Sequence, residues 1–404
     1  MERLLFFLLF SWTTIASVAQ DSLRLRLDSL LADPMFETSQ VGLMVYDLTA
    51  DSVLYQRNQR QMLRPASTMK LVTSITAIDR LGGDYQFRTH LCYTGTISDG
   101  KLTGDLYCIG GFDPMFNADD MNAFAESLRR LGVDTLQGRS MADLSMKESL
   151  DYGEGWCWDD KNPKLTPLSL GRNDTFVERL QEELVDKGIV LRDVTTGTGR
   201  CPARNFLVCS RFHTIDQVLQ RRMKDSDNFY AESMFYQIAA ASGNRPGKAS
   251  DARNIVRQLI RKIGLSGNPY KIADGSGLSL YNYLSAELET LLLRYAWRHS
   301  NIYDLLSDAL PIAAVDGTLK SRMKGTAAAG NVRAKTGTLT GISSLAGYCQ
   351  SPDGHQLCFA IINQGVMRSA LARTFQDRVC IALCSIPLSP QLPTQPSADY
   401  EQTD

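Results

Sequence analysis

The strongest helical pattern in the sequence has well-defined ends and carries a candidate nucleophile at its start. Pro65-Ala66-Ser67 precedes the pattern, and Gly82-Gly83 ends it. Its apolar residues recur at helical spacing, at Met69, Leu71, Val72, Ile75 and Ile78. The sequence therefore predicts a helix over residues 68–81, with Ser67 and Lys70 on the same face at its N-terminal end.

Helical and strand patterns both occur in the rest of the chain, which predicts a mixed α+β or α/β fold. Residues 40–56 alternate as a hairpin, and a second hairpin region is predicted over residues 332–364. Further helices are predicted over residues 22–31, 121–131, 175–187, 229–241, 251–263, 285–298 and 371–384.

The composition is that of a globular protein rather than a disordered or nucleic-acid-binding chain. With 404 residues, of which 44% are hydrophobic, the chain has room for two or three domains with sizeable cores. The 43 Lys and Arg residues are balanced by 44 Asp and Glu residues. Because no positive charge is left to hold phosphate backbones, we expect no nucleic-acid partner.

The N-terminus has the pattern of a secretory signal peptide. Arg3 precedes an apolar run over residues 4–10, and the small residues of Ser17-Val18-Ala19 suit cleavage before Gln20. A transmembrane anchor is the weaker alternative, because the strongly apolar stretch is shorter than the roughly 20 residues that span a bilayer. We therefore expect residues 1–19 to be removed, and a periplasmic protein with no stable membrane anchor.

The sequence contains nine cysteines, which export would place where disulfides form. Because nine is odd, at least one thiol is unpaired within the chain. Cys92 and Cys108, on neighbouring predicted strands, are a candidate bridge, although most cysteines are interpreted as small core residues. No His or Cys spacing indicates a zinc site, and no metal or cofactor is expected.

A serine hydrolase of the Ser-His-Asp type is disfavoured, because none of the four histidines lies in a segment that suggests catalysis. A serine enzyme would need another base, and a desolvated Lys70 amine could take the proton of Ser67. The spacing is weak evidence in itself, since Ser98 with Lys101 and Ser321 with Lys324 repeat it. Only Ser67 lies at the head of a long apolar helix.

Two further motifs add to this pair. Ser226-Asp227-Asn228 precedes the predicted helix over residues 229–241, where it is equally well explained as a helix N-cap. Lys335-Thr336-Gly337-Thr338 lies in a predicted strand, and a glycine inside a strand often marks close approach by a ligand or another backbone. The three motifs together are more specific than any one of them.

In this order, the three motifs are typical of penicillin-recognising serine enzymes. Nearly the whole mature chain resembles one branch of them, the D-alanyl-D-alanine carboxypeptidase/endopeptidase family of the penicillin-binding protein 4 type (peptidase family S13). The other segments that carry the resemblance are Gly110-Gly111-Phe112-Asp113-Pro114, Gly155-Trp156-Cys157-Trp158-Asp159-Asp160, Ala231-Glu232, Asp274-Gly275-Ser276-Gly277-Leu278-Ser279, and Asp316-Gly317-Thr318-Leu319 with Arg322.

The resemblance implies a serine peptidase acting on peptidoglycan peptides that end in D-Ala-D-Ala, and covalent inhibition by β-lactam antibiotics. Ser67 would be acylated, with Lys70 as the general base and with Ser226 and Lys335 passing a proton to the leaving amine. The substrate-binding residues would be Asn228 for a substrate amide, Lys335, Thr336, Gly337 and Thr338 for the terminal carboxylate and peptide backbone, and Asp143 for the stem-peptide amine.

The resemblance also implies a β-lactamase/transpeptidase-like fold, in which helices flank an antiparallel sheet beside an all-helical part, with a smaller inserted α/β domain. Ser67 and Ser226 are 159 positions apart, which is more than in a minimal β-lactamase and less than in the larger family members with two inserted domains, so the resemblance implies one insertion, shortened relative to theirs. We expect the main domain over residues 20–93 and 206–386, the insertion over residues 94–205, and a flexible tail over residues 387–404. The sequence departs from the family at Phe112, often a third glycine, and at Leu280, commonly an arginine.

Two alternatives and two questions stay open at this level. A class A β-lactamase needs a glutamate between the second and third motifs to activate the deacylating water, and residues 233–286 contain no glutamate. A non-catalytic peptidoglycan-binding protein that keeps the fold is the other alternative, which the intact motifs disfavour. The sequence does not decide between carboxypeptidase and endopeptidase action, nor the oligomeric state.

Overall fold

A computed structural model of the chain describes residues 21–157 and 159–388. The predicted signal peptide and residues 389–404 of the predicted tail lie outside the described residues. The helices are α1 (21–31), α2 (Met69–Leu81), α3 (Ala118–Arg130), α4 (Phe176–Asp186), α5 (Ile215–Lys224), α6 (Asn228–Ala240), α7 (Ala249–Lys262), α8 (Ala286–Trp297), α9 (Ser300–Ala309) and α10 (Ser369–Ser385). The strands are β1 (Gln40–Asp47), β2 (Ser52–Arg57), β3 (Gln86–Tyr93), β4 (Thr96–Ser98), β5 (Lys101–Thr103), β6 (Leu106–Ile109), β7 (Thr135–Gln137), β8 (Arg139–Asp143), β9 (Val190–Leu191), β10 (Thr195–Thr198), β11 (Phe206–Thr214), β12 (Arg333–Leu339), β13 (Ile342–Gln350) and β14 (Gln356–Gln364).

An antiparallel sheet of five strands, in the order β12-β13-β14-β1-β2, separates two hydrophobic cores. Successive side chains of β1 point to opposite faces, because a strand has a period of two. Val41 and Leu43 contribute to the core beside α1 and α10, whereas Met44 and Tyr46 contribute to the core that contains α2. The sheet is therefore covered by helices on both faces.

The predicted helix at residues 68–81 becomes α2, which is buried over its first ten residues, Met69–Ile78. It packs against α6 and α8 in the larger core. A helix buried on all sides places any polar group at its start in a low-dielectric surrounding. Lys70 is such a group, and the fold buries it completely.

A second sheet, in the order β10-β8-β6-β3-β11, and a smaller one, β4-β5-β7-β9, form the middle of the chain with a core of their own. The predicted boundaries at residues 93/94 and 205/206 cut through the second sheet, because β3 pairs with β6 on one side and with β11 on the other. We propose that the inserted unit includes both strands and spans about residues 86–214.

Two helices, α5 and α9, are absent from the sequence prediction. Each has only ten residues. In α5 the apolar positions Ile215, Val218, Leu219 and Met223 follow helical spacing, but Arg222 interrupts the buried face. The charge of Arg222 therefore weakened the apolar periodicity that would have predicted α5.

Cys92 and Cys108 do not form a bridge, and all nine cysteines are free thiols. Cys92 lies opposite Tyr107 across the β3–β6 ladder, and Cys108 lies opposite Leu91. Neighbouring positions on a strand face opposite sides of the sheet, so the two thiols point away from each other. The offset of one residue was not visible in the sequence.

Leu388 falls in the predicted tail but belongs to the core beside α10. Its side chain is 8% exposed, and its backbone N–H donates to Asp353 Oδ2 at 2.9 Å. The ordered body of the protein therefore extends at least to residue 388. Among the described residues, no helix is long and apolar enough to cross a membrane.

Candidate active site

Ser67 lies in a tight turn that leads into α2. It is the central residue of a short 3-10 helix, Ala66–Thr68, and Ala66 has a positive φ of 50°. A positive φ is strained for alanine and is tolerated where the surroundings enforce it. Gly277 packs directly against this turn, since a Cβ at position 277 would lie 1.8 Å from Ala66 O. The turn leaves the Ser67 side chain partly exposed while its neighbours are buried.

Lys70 Nζ lies 3.0 Å from Ser67 Oγ, 2.7 Å from Asn228 Oδ1 and 2.8 Å from Ser276 O. A neutral amine has two N–H donors and one lone pair. The two oxygen acceptors, Asn228 Oδ1 and Ser276 O, use the donors, so the lone pair is directed to the Ser67 hydroxyl. Burial, then the positive charge of Arg222, lowers the pKa of Lys70 to about 7. Lys70 thus has both the geometry and the protonation state of a general base.

A second serine–lysine pair lies on the other side of the site. Ser226 is held at a positive φ of 60°, and its Oγ accepts a hydrogen bond from Lys335 Nζ at 2.8 Å. The same amine donates to Thr336 O at 2.8 Å. Lys335 is fully buried, and this burial, followed by the charges of Lys70 and Arg222, holds its pKa well below its usual range.

The start of α6 carries the residues that follow Ser226. Asp227 is the N-cap and accepts from the backbone N–H of Phe229 and Tyr230, so the helix-cap interpretation of this motif is correct for Asp227. Asn228 is directed into the site, where its Oδ1 accepts from Lys70 and its Nδ2 donates to Asn162 Oδ1 at 3.4 Å. The motif therefore caps the helix and contributes to the site.

β12 is an edge strand of the first sheet and brings Lys335-Thr336-Gly337-Thr338 beside Ser67. A Cβ on Gly337 would lie 2.1 Å from Ser344 Oγ and 2.9 Å from Ser67 N, so only glycine fits this close approach. Thr336 Oγ1 donates to Thr318 Oγ1 at 2.8 Å, and Thr338 is exposed. An open edge next to a nucleophile suits an extended peptide that adds a strand to the sheet.

Asp143 is the one predicted site residue whose polar contacts lie elsewhere. It ends β8 and is 4% exposed. Its Oδ1 accepts from Ser145 N at 2.9 Å and its Oδ2 accepts from Cys201 N at 2.8 Å. The carboxylate therefore organises the backbone of the inserted unit, and its predicted contact with a substrate amine stays a prediction.

The sequence reasoning did not assign a role to several groups that surround the pair Ser67 and Lys70. Ser276 supplies a carbonyl to Lys70, and it belongs to a loop that Asp274 organises by accepting from Gly277 N at 2.7 Å and Ser279 N at 2.8 Å. The signal for this loop was its glycine- and serine-rich pattern. The segment contributed only to the family resemblance, because no side-chain pattern reveals that a backbone carbonyl faces an active site.

Two buried glutamates also lie near the site. Both oxygens of Glu232 face Gly275 N, at 3.0 and 3.2 Å, and Glu289 Oε1 lies 2.6 Å from Thr68 Oγ1. Burial raises the pKa of each carboxyl to about 8. Each carboxyl is therefore mainly protonated at neutral pH, which makes it a poor general base. Glu232 lies one residue outside the interval in which the sequence lacks glutamate.

Comparison with known proteins agrees with this geometry. The model of the D-Ala-D-Ala carboxypeptidase 3 (S13) family matches residues 23–169 and 166–382. Carboxypeptidase DacB of Mycolicibacterium smegmatis is 30% identical over 84% of this chain and 79% of its own length. A D-alanyl-D-alanine carboxypeptidase of an Actinomadura species is 27% identical over 89% and 84%, respectively.

Among solved structures, penicillin binding protein 4 of Haemophilus influenzae matches with a TM-score of 0.80 at 21% identity, over 87% of this chain and 98% of that chain. This similarity confirms the predicted fold class, and the family model covers both the main sheet and the whole of the inserted unit. The chain therefore belongs to the D-Ala-D-Ala carboxypeptidase 3 (S13) family.

Proposed function

We propose that this protein is a serine-type D-Ala-D-Ala carboxypeptidase that acts on peptidoglycan stem peptides through an acyl-enzyme on Ser67. The observation that carries the proposal is the position of Lys70 Nζ, which lies 3.0 Å from Ser67 Oγ and within hydrogen-bonding distance of two other oxygens, Asn228 Oδ1 and Ser276 O, that can take the N–H donors of the free amine. Family membership and the names of the carboxypeptidase relatives support the same conclusion.

In acylation, Ser67 Oγ attacks the carbonyl carbon of the penultimate D-Ala while Lys70 Nζ takes the hydroxyl proton. The carbonyl oxygen becomes an oxyanion, for which the backbone N–H groups of Ser67 and Thr338 are the proposed donors. The C–N bond then breaks and the leaving amine needs a proton. Ser226 Oγ would relay this proton, giving its own hydroxyl proton to the amine and taking one from Lys335 Nζ, which lies 2.8 Å away, and D-Ala leaves.

Substrate recognition would use the edge of β12. The terminal carboxylate of the substrate would lie near Lys335, Thr336 and Thr338, and Gly337 would let the peptide backbone approach the strand. Asn228 Nδ2, weakly engaged with Asn162 at 3.4 Å, is available to a substrate amide oxygen. Asp143 is proposed as a contact to the stem-peptide amine.

The acyl-enzyme is then hydrolysed by water, and β-lactams would acylate Ser67 in the same way. Among the described residues, Glu232 is poorly suited to activate water, because both of its oxygens are engaged by Gly275 N and it is mainly protonated at neutral pH. We therefore expect a long-lived penicilloyl adduct rather than fast β-lactam turnover. Action on cross-linked peptides as an endopeptidase is compatible with the same chemistry, since both reactions cut after a D-Ala.

We propose that the protein is exported to the periplasm, where its substrate lies. The support is the signal-like pattern of residues 1–19. The proposed partners are peptidoglycan peptides ending in D-Ala-D-Ala and β-lactam antibiotics.

Incubation of the purified protein with a fluorescent penicillin tests the proposal. We expect one covalent label per chain on the wild type and none on Ser67→Ala. Release of D-Ala from a D-Ala-D-Ala peptide, followed by mass spectrometry of digested peptidoglycan, separates carboxypeptidase from endopeptidase action. An unlabelled wild type that still binds peptidoglycan would support the alternative, a non-catalytic binding protein with this fold.

A further inference from the structure

A buried arginine lies directly behind the proposed general base. Arg222 of α5 is 0% exposed, and its Nη2 donates to the backbone oxygen of Lys70 at 2.7 Å. Its Nη1 lies 2.6 Å from Met234 Sδ. Within residues 21–157 and 159–388, the guanidinium has no carboxylate partner and its Nε has no hydrogen-bond partner. Arg222 is therefore a buried cation without a counter-ion in direct contact.

The position of Arg222 in α5 is one where an apolar residue is expected. Ile215, Val218, Leu219 and Met223 form the buried face of this helix in the larger core, and helical spacing puts Arg222 on the same face. Burial of a cation without a paired carboxylate is costly. Proteins retain such unfavourable buried charges mainly at functional sites.

The hydrogen bond to Lys70 does not explain why an arginine is needed. Ser74 Oγ already donates to the same carbonyl oxygen at 2.7 Å, so this acceptor would remain satisfied without Arg222. An uncharged donor could also replace the guanidinium. The positive charge of Arg222 is therefore the property that no uncharged side chain could supply at this position.

We propose that Arg222 is a positioning residue that keeps Lys70 in its free-amine form through the positive field of the buried guanidinium. The inference rests on the proposed function, because it assigns Lys70 as the base. Arg222 would not touch the substrate and would act only through Lys70. Two like charges in a low-dielectric interior repel each other, and the amine relieves the repulsion by losing its proton, because the guanidinium holds its own proton to a higher pH.

The second cation near Lys70 cannot replace Arg222 as the source of this positive field. Lys335 is the second nearby cation, but burial and its two cationic neighbours strongly lower its pKa, so its charge is easily lost. Burial lowers the pKa of Arg222 only to about 9, which leaves it charged at pH 7. Arg222 is therefore the lasting positive charge near the amine.

Three carboxyls oppose this effect on Lys70. Asp227 is ion-paired with Arg172, which offsets its charge. Glu232 is mainly protonated at neutral pH, since burial raises its pKa to about 8. Asp274 is the third and accepts several hydrogen bonds from its own loop. Burial, followed by the charge of Arg222, outweighs these carboxyls and lowers the pKa of Lys70 to about 7.

The test is the pH dependence of the second-order rate constant for acylation of Ser67 by a chromogenic cephalosporin, measured from pH 5 to pH 10. Arg222→Gln retains a hydrogen-bond donor without the charge, Arg222→Met retains the bulk, and Arg222→Lys introduces a buried amine that, unlike the guanidinium, readily loses its proton. Arg221→Met changes the exposed neighbour on the same helix, whose side chain is 54% exposed, and is the matched control.

In the wild type, the acylation rate constant should fall below about pH 7, and we call this part of the profile the acidic limb. In Arg222→Gln and Arg222→Met this limb should move up by about one pH unit. Acylation then falls up to about tenfold below pH 7 and recovers near pH 9. Arg222→Lys should move the limb in the same direction, because a buried amine loses its proton more readily than a guanidinium, and Arg221→Met should keep the wild-type limb. Thermal unfolding of each variant shows whether it is folded.

A uniform loss of rate at every pH in the neutral variants would overturn the inference, because it would indicate a structural role only. A wild-type pH profile in folded Arg222→Gln and Arg222→Met would also overturn it. If these two variants do not fold, a wild-type profile in a folded Arg222→Lys has the same consequence. A wild type that is not acylated at any pH refutes the proposed function instead.

Discussion

Glu289 offers a test of how the buried polar groups beneath the nucleophile are protonated. Its side chain is completely buried in α8, where Oε1 lies 2.6 Å from Thr68 Oγ1 and Oε2 has no hydrogen-bond partner in the described part of the chain. Thr68 Oγ1 also lies 2.8 Å from Pro65 O, which Ser344 Oγ contacts as well. A protonated Glu289 can donate to Thr68, whose own hydroxyl proton then goes to Pro65 O.

The magnitude follows from the pKa of Glu289, which burial raises from 4.5 to about 8. Between these values the folded chain keeps a proton that the unfolded chain has lost, so this group makes the free energy of unfolding fall as pH rises. The slope is at most about 1.4 kcal/mol per pH unit, and the total from pH 5 to pH 8 is about 4 kcal/mol. Glu289→Gln removes this dependence and keeps a neutral side chain of the same shape.

Denaturation by urea, repeated at half-unit intervals from pH 5 to pH 9, measures the effect. The difference in unfolding free energy between Glu289→Gln and the wild type should grow in favour of the variant up to about pH 8 and then level off. Because other buried groups titrate equally in both proteins, the difference isolates Glu289. Glu178→Gln, on the exposed face of α4, is the control and should give a flat difference. A flat difference for Glu289→Gln would refute the assignment of a protonated carboxyl.

Three further predictions concern the site and the end of the described chain. Gly337→Ala should destabilise the protein by about 1–3 kcal/mol and slow acylation at least tenfold, because the new Cβ would lie 2.1 Å from Ser344 Oγ; normal labelling by penicillin would contradict this. Wild-type acylation should fall about tenfold per pH unit below about pH 7, where Lys70 becomes protonated, and a profile flat to pH 5 would exclude Lys70 as the base. A chain that ends at residue 386 should be about 2 kcal/mol less stable than one that ends at 388, since it loses the buried Leu388 and its bond to Asp353; equal melting temperatures would count against this packing.

Local patterns were sufficient to predict most of the helices, and the three motifs supplied the serines and lysines that the structure brings together around Ser67. The helix over residues 68–81 corresponds to α2, and the hairpin over residues 40–56 corresponds to β1 and β2. The spacing of apolar residues and the short motifs are properties of contiguous residues, so they predict an element without knowledge of the segments that pack against it. The spacing of Ser67 and Lys70 belongs to the same class of information.

Contacts between distant segments were not predictable in this way. The one-residue offset that separates Cys92 from Cys108 depends on strand register, which the packing of the inserted sheet determines. The membership of β3 in that sheet likewise moves the proposed boundary of the insertion to about residue 86.

The sequence by itself determined which chemical groups this protein possesses: a serine and a lysine at a helix start, a second serine before another helix, and a lysine on a glycine-containing strand. Only the tertiary structure decided their chemical state. Asn228 and Ser276 orient the Lys70 amine from segments far away in the chain, and Arg222 and Glu289 are buried beside the nucleophile turn. Protonation depends on burial and on neighbouring charges, and both arise only when the chain has folded.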